Sequence, residues 1–519
     1  MYKKFRFFKI IALSVIICFL IAFKINVDSI PNQLSQKASE NTDVNRPNIL
    51  LLIADDLGYG DCSAYPNHEP DAKTPNIEKL AQRSVLFTQG YVTSPICSPS
   101  RLGILTGRYH QRWGTHTYTN ANLPNDETTL AEYLKSKGYK TALFGKSHVG
   151  QAEGIMEREF PRRHGYENFV GRTGGMIDFL THTFEDQAKY PKPLNVFWGF
   201  GPWYFNDSVK EVEGYTTDIL TDQATQFIQG NKTSPFFLTM GYTEVHAWTH
   251  QIPDTALVRL EINKIENWDP KKEKALEWVV RDGLGQYMEN GRTRLLWHLS
   301  QLDSSVGKII NTLEEEKLMD NTIIVFLSDN GATDRTAGKN TPLSGGKYLL
   351  EEGGLRVPFM ISFPSKLQSG SVYNKAVSSM DIFPTIMGLC NDTTEITSSH
   401  FDGKNLVPFL NGEDTAVPHE TLYWTGLSLS GSIPKFEDME STEAKSYHSV
   451  GGDDSGWAIR DNDYKLRYFG RTKELKLFNL KNDIEESNDL SKSLPETVKR
   501  LKNKYYKWHN TDMHLPTLN

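Results

Sequence analysis

Asp55 and Asp56 close an unbroken apolar run, Ile49-Leu50-Leu51-Leu52-Ile53-Ala54. Adjacent carboxylates at the end of a buried strand repel one another and are costly unless a positive centre joins them. A second run, Ile323 to Leu327, leads through Ser328 into Asp329 and Asn330. These four residues offer only oxygen donors, a set that suits Ca2+ or Mg2+ and argues against a thiolate-loving metal. Cys97 opens the string Cys97-Ser98-Pro99-Ser100-Arg101. Pro99 suits the first turn of a helix, because its φ is already set and its missing N–H is no loss there. Cys97 then lies at a helix mouth, where backbone N–H groups favour negative charge, and Arg101 lies one turn further on. That arrangement suits a reactive group handling an anion; a buried structural cysteine beside a helix start is the plainer alternative. Lys146 and His148 follow a third run, Lys140 to Phe144, and His246 follows a fourth, Pro235 to Met240. Lys347 ends the string Gly345-Gly346-Lys347, where glycines let the backbone come close to a ligand.

The elements that must position these residues can be read from the same runs. Continuous apolar stretches are the pattern of parallel strands buried on both faces. Helical stretches lie between them, at Asn76 to Ser84, Thr128 to Lys137, Asp218 to Gln229 and Leu299 to Lys317. Alternating strand and helix predicts an α/β fold whose large domain has a mainly parallel sheet flanked by helices. In such sheets ligands bind outside the carboxyl ends of the strands. The fold rule therefore gathers the carboxylates, Lys146, His148 and His246 into one crevice. Past Thr421 the character shifts to short strands at Gly456 to Arg460, Tyr464 to Tyr468 and Glu474 to Asn479, then a helix from Pro495 to Trp508. These predict a smaller C-terminal α+β domain with an antiparallel sheet.

A chain of 519 residues exceeds the size at which a single core stops growing, so two domains are expected. The expected divisions are a targeting segment at 1–29, a linker at 30–46, a catalytic domain at 47–420 and a C-terminal part at 421–519. The net charge of −7 argues against a broad nucleic-acid surface, so an anionic ligand must be held by a local cluster of cations. The cysteines are Cys18, Cys62, Cys97 and Cys390, too few for a disulfide framework. Cys62 and Cys390 read as core thiols, with a single disulfide as the alternative. Lys3, Lys4, Arg6 and Lys9 precede an apolar run from Ile10 to Phe23. That run is shorter than a membrane span and fits a secretory signal, with an uncleaved signal anchor as the alternative. Either way the body is exported, to a periplasm or the outside.

The full string from Cys97 to Arg108, ending Leu105-Thr106-Gly107-Arg108, resembles the signature of the type I, formylglycine-dependent sulfatases. These are arylsulfatase-like members of the alkaline phosphatase superfamily. Gly145 to Gly150 resembles the family's Gly-Lys-x-His-x-Gly, with Ser147 where Trp is frequent. His246 matches the histidine after the Pro-Phe-Phe strand, although Glu244-Val245 replaces the more usual Ala-Pro. Gly345-Gly346-Lys347 and Glu352-Gly353-Gly354-Leu355-Arg356-Val357-Pro358 also resemble family segments. The likeness covers most of Pro47 to Trp508.

The resemblance implies that Cys97 is oxidised to formylglycine by a formylglycine-generating, sulfatase-maturing enzyme. It implies one divalent cation, calcium with magnesium as the alternative, on Asp55, Asp56, Asp329, Asn330 and the modified Cys97. It implies catalytic roles for Cys97, Arg101, Lys146, His148, His246 and Lys347. The aldehyde hydrates, one hydroxyl attacks sulfur, and His246 and Lys347 assist the leaving oxygen. His148, with Lys146 nearby, then helps the second hydroxyl expel sulfate. A serine in place of the aldehyde hydrate would lack that second hydroxyl.

Aromatics crowd the stretch from Gln151 to Ser208: Phe197, Trp198, Phe200, Trp203, Tyr204 and Phe205. Such faces stack on sugar rings, with ordinary packing as the alternative. Trp113, His116, Trp248 and His250 lie near signature residues and are candidates for a substrate subsite. The resulting expectation is a sulfatase acting on a sulfated polysaccharide or its oligosaccharides, with no nucleic-acid partner and no assigned oligomeric state. Its rivals are a phosphate or phosphonate ester hydrolase of the same superfamily, and a non-catalytic sulfated-glycan binding protein. The complete cysteine signature and the retained oxygen ligands argue against both.

Overall fold

The computed structural model describes residues 46–510, apart from 119, 151, 153, 176–177, 190–199, 270, 273–287, 334–335, 393–400, 427–455 and 471. The expected targeting segment with Cys18, nearly all of the linker, and Phe197 and Trp198 lie outside the described residues. No helix among the described residues is long and apolar enough to cross a membrane.

The apolar runs form strands. In chain order these are β1 (Asn48–Ala54), β2 (Val85–Phe87), β3 (Gly90–Tyr91), β4 (Lys140–Lys146), β5 (Asn168–Arg172) and β6 (Trp203–Phe205). There follow β7 (Ser208–Lys210), β8 (Phe236–Gly241), β9 (Thr322–Ser328), β10 (Phe359–Ser362), β11 (Ser371–Tyr373) and β12 (Val377–Ser378). A ten-stranded sheet runs β11-β2-β10-β9-β1-β8-β4-β5-β6-β7, and β3 pairs with β12. The strands that lead into Asp329, Asp55, His246 and Lys146 are thus β9, β1, β8 and β4, adjacent at the centre. All three pairings among them are parallel, so their carboxyl ends share one edge.

Alternation along β1 explains why both faces are covered. Ile49, Leu51 and Ile53 enter one core with residues of the helices Cys97–Thr106, Leu130–Ser136 and Ile382–Leu389. Leu50 and Leu52 enter the other, with residues of Thr216–Gly230 and Gly291–Glu315. Each such aliphatic side chain contributes about 1.5–3 kcal/mol by leaving water. The parallel character is confined largely to the centre: β10 runs antiparallel to β9 and β2, and β5-β6-β7 is an antiparallel flank. The long helix starts at Gly291 rather than near Leu299 because Leu295, His298, Leu299 and Leu302 already share its buried face. The buried polar residues Arg294 and His298 interrupt the apolar stripe that sequence periodicity relies on.

The C-terminal sheet has the order β13 (Thr421–Thr425), β14 (Trp457–Asp461), β15 (Tyr464–Phe469) and β16 (Glu474–Asn479), antiparallel throughout. The helix Pro495–Asn510 lays Leu501, Tyr505 and Trp508 against it. Cys62, Cys97 and Cys390 are free thiols, and burial pushes the Cys62 thiol up to about 12. The alternative of a disulfide between Cys62 and Cys390 is not realised.

Candidate active site

The ladder of β1 continues past its last residue. Asp329 N–H donates to Ala54 O at 3.0 Å, and Asp55 N–H to Glu244 O at 2.9 Å. These bonds fix the chain where it turns from sheet to site. The Cys97–Thr106 helix then brings Cys97 and Arg101 over the same edge, and every residue of it is buried. Gly107 ends it in the left-handed conformation, which glycine adopts without a Cβ penalty.

Three cations face three carboxylates here. Lys146 Nζ lies 2.6 Å from Asp55 Oδ2, Arg101 Nε 2.8 Å from Asp329 Oδ2, and Lys347 Nζ 2.8 Å from Asp56 Oδ1. Asn330 Nδ2 donates to Asp56 Oδ1 at 2.6 Å. His246 Nε2 stands 3.7 Å from Asp56 Oδ2. All these groups are buried; His246, at 8% exposure, is the most open. Burial, reinforced by the neighbouring cations, holds His148 and His246 well below the usual histidine range. Both are held toward the neutral form. Burial also raises the Cys97 thiol, although Lys146 and Lys347 pull the other way. Cys97 is thus not a ready thiolate nucleophile.

The fold does not satisfy this cluster. Asp55 Oδ1, Asn330 Oδ1, Arg101 Nη2 and His148 Nδ1 are buried without hydrogen-bond partners. Such orphans are rare in native interiors and each calls for an explanation. Two orphaned oxygens beside three carboxylates fit a hard divalent cation. Ligand atoms of Asp55, Asp56 and His246 lie within 4.8 Å of one another. The orphaned guanidinium nitrogen fits an anion. Without an added cation the six ionised groups cancel, leaving nothing to attract a negatively charged substrate. Left-handed backbone occurs here too: Asp56, His148, Trp248 and Tyr348 have φ of 61°, 49°, 74° and 73°. Non-glycine residues in that region cost on the order of 1–2 kcal/mol each.

The sequence profile of the Sulfatase family matches residues 47–392, a span that carries all of these groups. The chain belongs to the Sulfatase family. It is 30% identical to human (Homo sapiens) steryl-sulfatase, over 74% of this chain and 73% of that one. It is 28% identical to the uncharacterized sulfatase YdeN of Escherichia coli, over 92% and 88%. Among solved structures, Ps i-CgsB in complex with k-i-k-neocarrahexaose matches with a TM-score of 0.72 and 28% identity, covering 89% of this chain and 93% of that one. The protein is a sulfuric ester hydrolase.

The sulfatase fold gathers Asp55, Asp56, Cys97, Arg101, Lys146, His148, His246, Asp329, Asn330 and Lys347 in one cluster. The four subsite candidates are placed differently. Trp248 and His250 follow β8 and are buried, with Trp248 against Phe200 at 5.4 Å and His250 Nε2 2.7 Å from Asn267 Oδ1. His246 and His250 stand four apart, yet the segment is not helical, so they form no helical metal pair. His116 Nδ1 lies 3.3 Å from Thr425 Oγ1 at the end of β13, and Trp113 Nε1 donates to Asn122 O at 3.0 Å. Trp203 is fully buried, while Tyr204 and Phe205 are half-buried.

Two contributors escaped sequence reasoning. A Cβ on Gly175 would lie 2.9 Å from His148 Cε1, so any larger residue there would displace that imidazole. The glycine pair Gly174-Gly175 just after β5 was the available signal. Glu244, replacing the family's small residue, is wholly buried with Tyr215 OH 3.1 Å from Oε1, and burial pushes it up to about 8.

Proposed function

We propose that this sulfatase hydrolyses sulfate esters of a polysaccharide or its oligosaccharides, using a formylglycine made from Cys97. The observation that carries the reading is the set of buried orphan groups at the carboxyl ends of β1, β4 and β9, with Arg101 Nη2 on the anion side and Asp55 Oδ1 and Asn330 Oδ1 on the cation side. Asp55, Asp56, Asp329, Asn330 and the modified Cys97 would hold Ca2+, with Mg2+ as the alternative. The cation would draw negative charge toward the site and polarise the sulfate oxygens. The hydrated aldehyde would supply the attacking hydroxyl and the second hydroxyl needed to release sulfate.

The chain's own residues do the remaining work. Arg101 Nη2 donates to a sulfate oxygen while Nε stays on Asp329. Lys146 sets its charge beside the same anion. His148, kept neutral by burial, accepts a proton at Nδ1. His246 and Lys347 stabilise the departing alkoxide, His246 by a hydrogen bond from its ring N–H and Lys347 by its charge. Preorganised donors of this kind contribute about 3–4 kcal/mol each. The complex of Ps i-CgsB with k-i-k-neocarrahexaose supports a sugar ligand. The charged leader followed by the Ile10–Phe23 run supports export to a periplasm or the exterior, and a maturing enzyme must act on Cys97.

The test is sulfate release from a panel of sulfated glycans, with phosphate esters as controls, after co-expression with a formylglycine-generating enzyme. Release from one glycan that disappears in Cys97→Ala is expected. Phosphate release in place of sulfate, or undiminished release by the variant, would overturn the reading.

A further inference from the structure

The loop that carries Lys347 is held from the C-terminal sheet. Ser344 Oγ donates to Glu486 Oε2 at 3.0 Å, and Glu352 N–H donates to the same oxygen at 2.6 Å. The other oxygen of Glu486 lies 3.1 Å from Lys465 Nζ on β15, and that ammonium also reaches Glu352 Oε1 at 2.9 Å. Lys465 and Glu352 are sealed from solvent, and the Glu486 side chain nearly so. Glu352 Oε2 accepts from Tyr91 OH at 2.6 Å, and that hydroxyl accepts from Arg460 Nη1 on β14 at 2.6 Å. Arg467 on β15 pairs with Glu351 at 2.7 Å. A buried charge is costly unless paired, so these partners hold one another, Glu486 Oε1 through its charge on Lys465 alone.

The block they hold reaches the reacting centre without slack. Gly353 N–H donates to Ser344 O at 2.7 Å, and Lys347 N–H donates to Ala332 O at 3.0 Å. A Cβ on Gly331, the residue after Asn330, would lie 1.7 Å from Gly353 O. The turn after β9, the Ser344–Lys347 loop and the short helix Glu352–Leu355 therefore pack backbone on backbone. A shift in Glu352 must be passed on to Lys347, whose Nζ stands 2.8 Å from Asp56.

We propose that the Lys465–Glu486–Glu352 cluster is a positioning device for Lys347, which makes the C-terminal sheet a working part of the catalytic centre. The proposal rests on the role given above to Lys347 at the leaving oxygen. A misplaced ammonium matters most when the leaving alcohol is weakly acidic and carries most charge in the transition state. A merely structural role would slow all substrates alike.

The test uses the matured full chain and a series of aryl sulfates whose phenols range from strongly to weakly acidic. Lys465→Met is expected to steepen the dependence of kcat on leaving-group acidity. Unsubstituted phenyl sulfate should lose about tenfold more than para-nitrophenyl sulfate, as a misplacement below an ångström can produce. Lys465→Arg keeps the charge and should recover part of the loss. Ser344→Ala removes one hydrogen bond and no charge; it should move the slope the same way and serves if Lys465→Met does not fold. Leu501→Ala, in the core of the terminal helix, should lower the melting temperature and leave the slope alone. An unchanged slope in folded Lys465→Met or in Ser344→Ala, or equal steepening in Leu501→Ala, overturns the proposal while leaving the sulfatase reading intact. A wild type that releases sulfate neither from the aryl series nor from sulfated glycans overturns both.

Discussion

In the C-terminal sheet the large side chains complete one another. Tyr423 stacks on Trp508 with centroids 4.5 Å apart, Trp457 on Tyr505 at 4.1 Å, and Leu466, Leu477 and Leu501 are fully buried between them. At the carboxyl ends of β1, β4 and β9 the groups are equally buried, yet Asp55 Oδ1, Asn330 Oδ1, Arg101 Nη2 and His148 Nδ1 lack partners. Packing accounts for the first region. A ligand accounts for the second, because an unsatisfied buried polar group costs about 1–3 kcal/mol and more if charged. The sulfatase therefore spends the stability of its large sheet on a site that its own atoms leave incomplete.

The largest break in this comparison comes from Cys97. Cys97→Ala should lower turnover about 10⁴-fold or more, as loss of a nucleophile does elsewhere, with little change in melting temperature. A variant that keeps most of its turnover would remove the aldehyde from the account. Next is Asp329→Asn, which loosens the cation and the Arg101 pair together. It should cost about 10²–10³-fold in kcat, the range for one preorganised charge. Ca2+ should raise the melting temperature of the wild type by binding only the folded state, and this rise should vanish in the variant; an unchanged rise would place the ion elsewhere.

Trp457→Ala should do the reverse. It should cost about 3–5 kcal/mol of stability by emptying an aromatic site, while kcat per folded molecule stays within a few-fold. A large loss of kcat at full stability would erase the distinction between the two regions. The smallest effect is on acid stability. Burial holds His110 and His164 down to about 4 and His298 to about 3, against 6.5 when exposed. Between those values the unfolded chain binds more protons, so this contribution is complete above 6.5 and is lost as the pH falls toward 4. His164, through Tyr166 against Phe237, and His298, on the Gly291–Glu315 helix, pack on the large sheet. Hydrogen exchange should therefore loosen there before it does in β14 to β16, and the opposite order would contradict the assignment.

The centre of the fold was legible because long strands buried on both faces print as unbroken apolar runs, as Ile49 to Ala54 does. The flanks were not: β2, β6 and β7 have three residues each, too few for a period to show. The site residues were legible for a topological reason. Lys146 ends a parallel strand and Asp55, Asp329 and His246 follow others, and parallel neighbours bring such positions to one edge. Lys465 and Glu486 were not legible, because a lysine in an alternating strand reads as solvent-facing and its partner Glu352 is remote in sequence.

The most direct test is the metal content of purified, matured enzyme, measured beside its sulfate-releasing activity. The account predicts about one tightly held Ca2+ or Mg2+ per active chain, absent from Asp55→Ala and from Asp329→Asn, with activity lost in step. Fully active enzyme without stoichiometric divalent cation would contradict it.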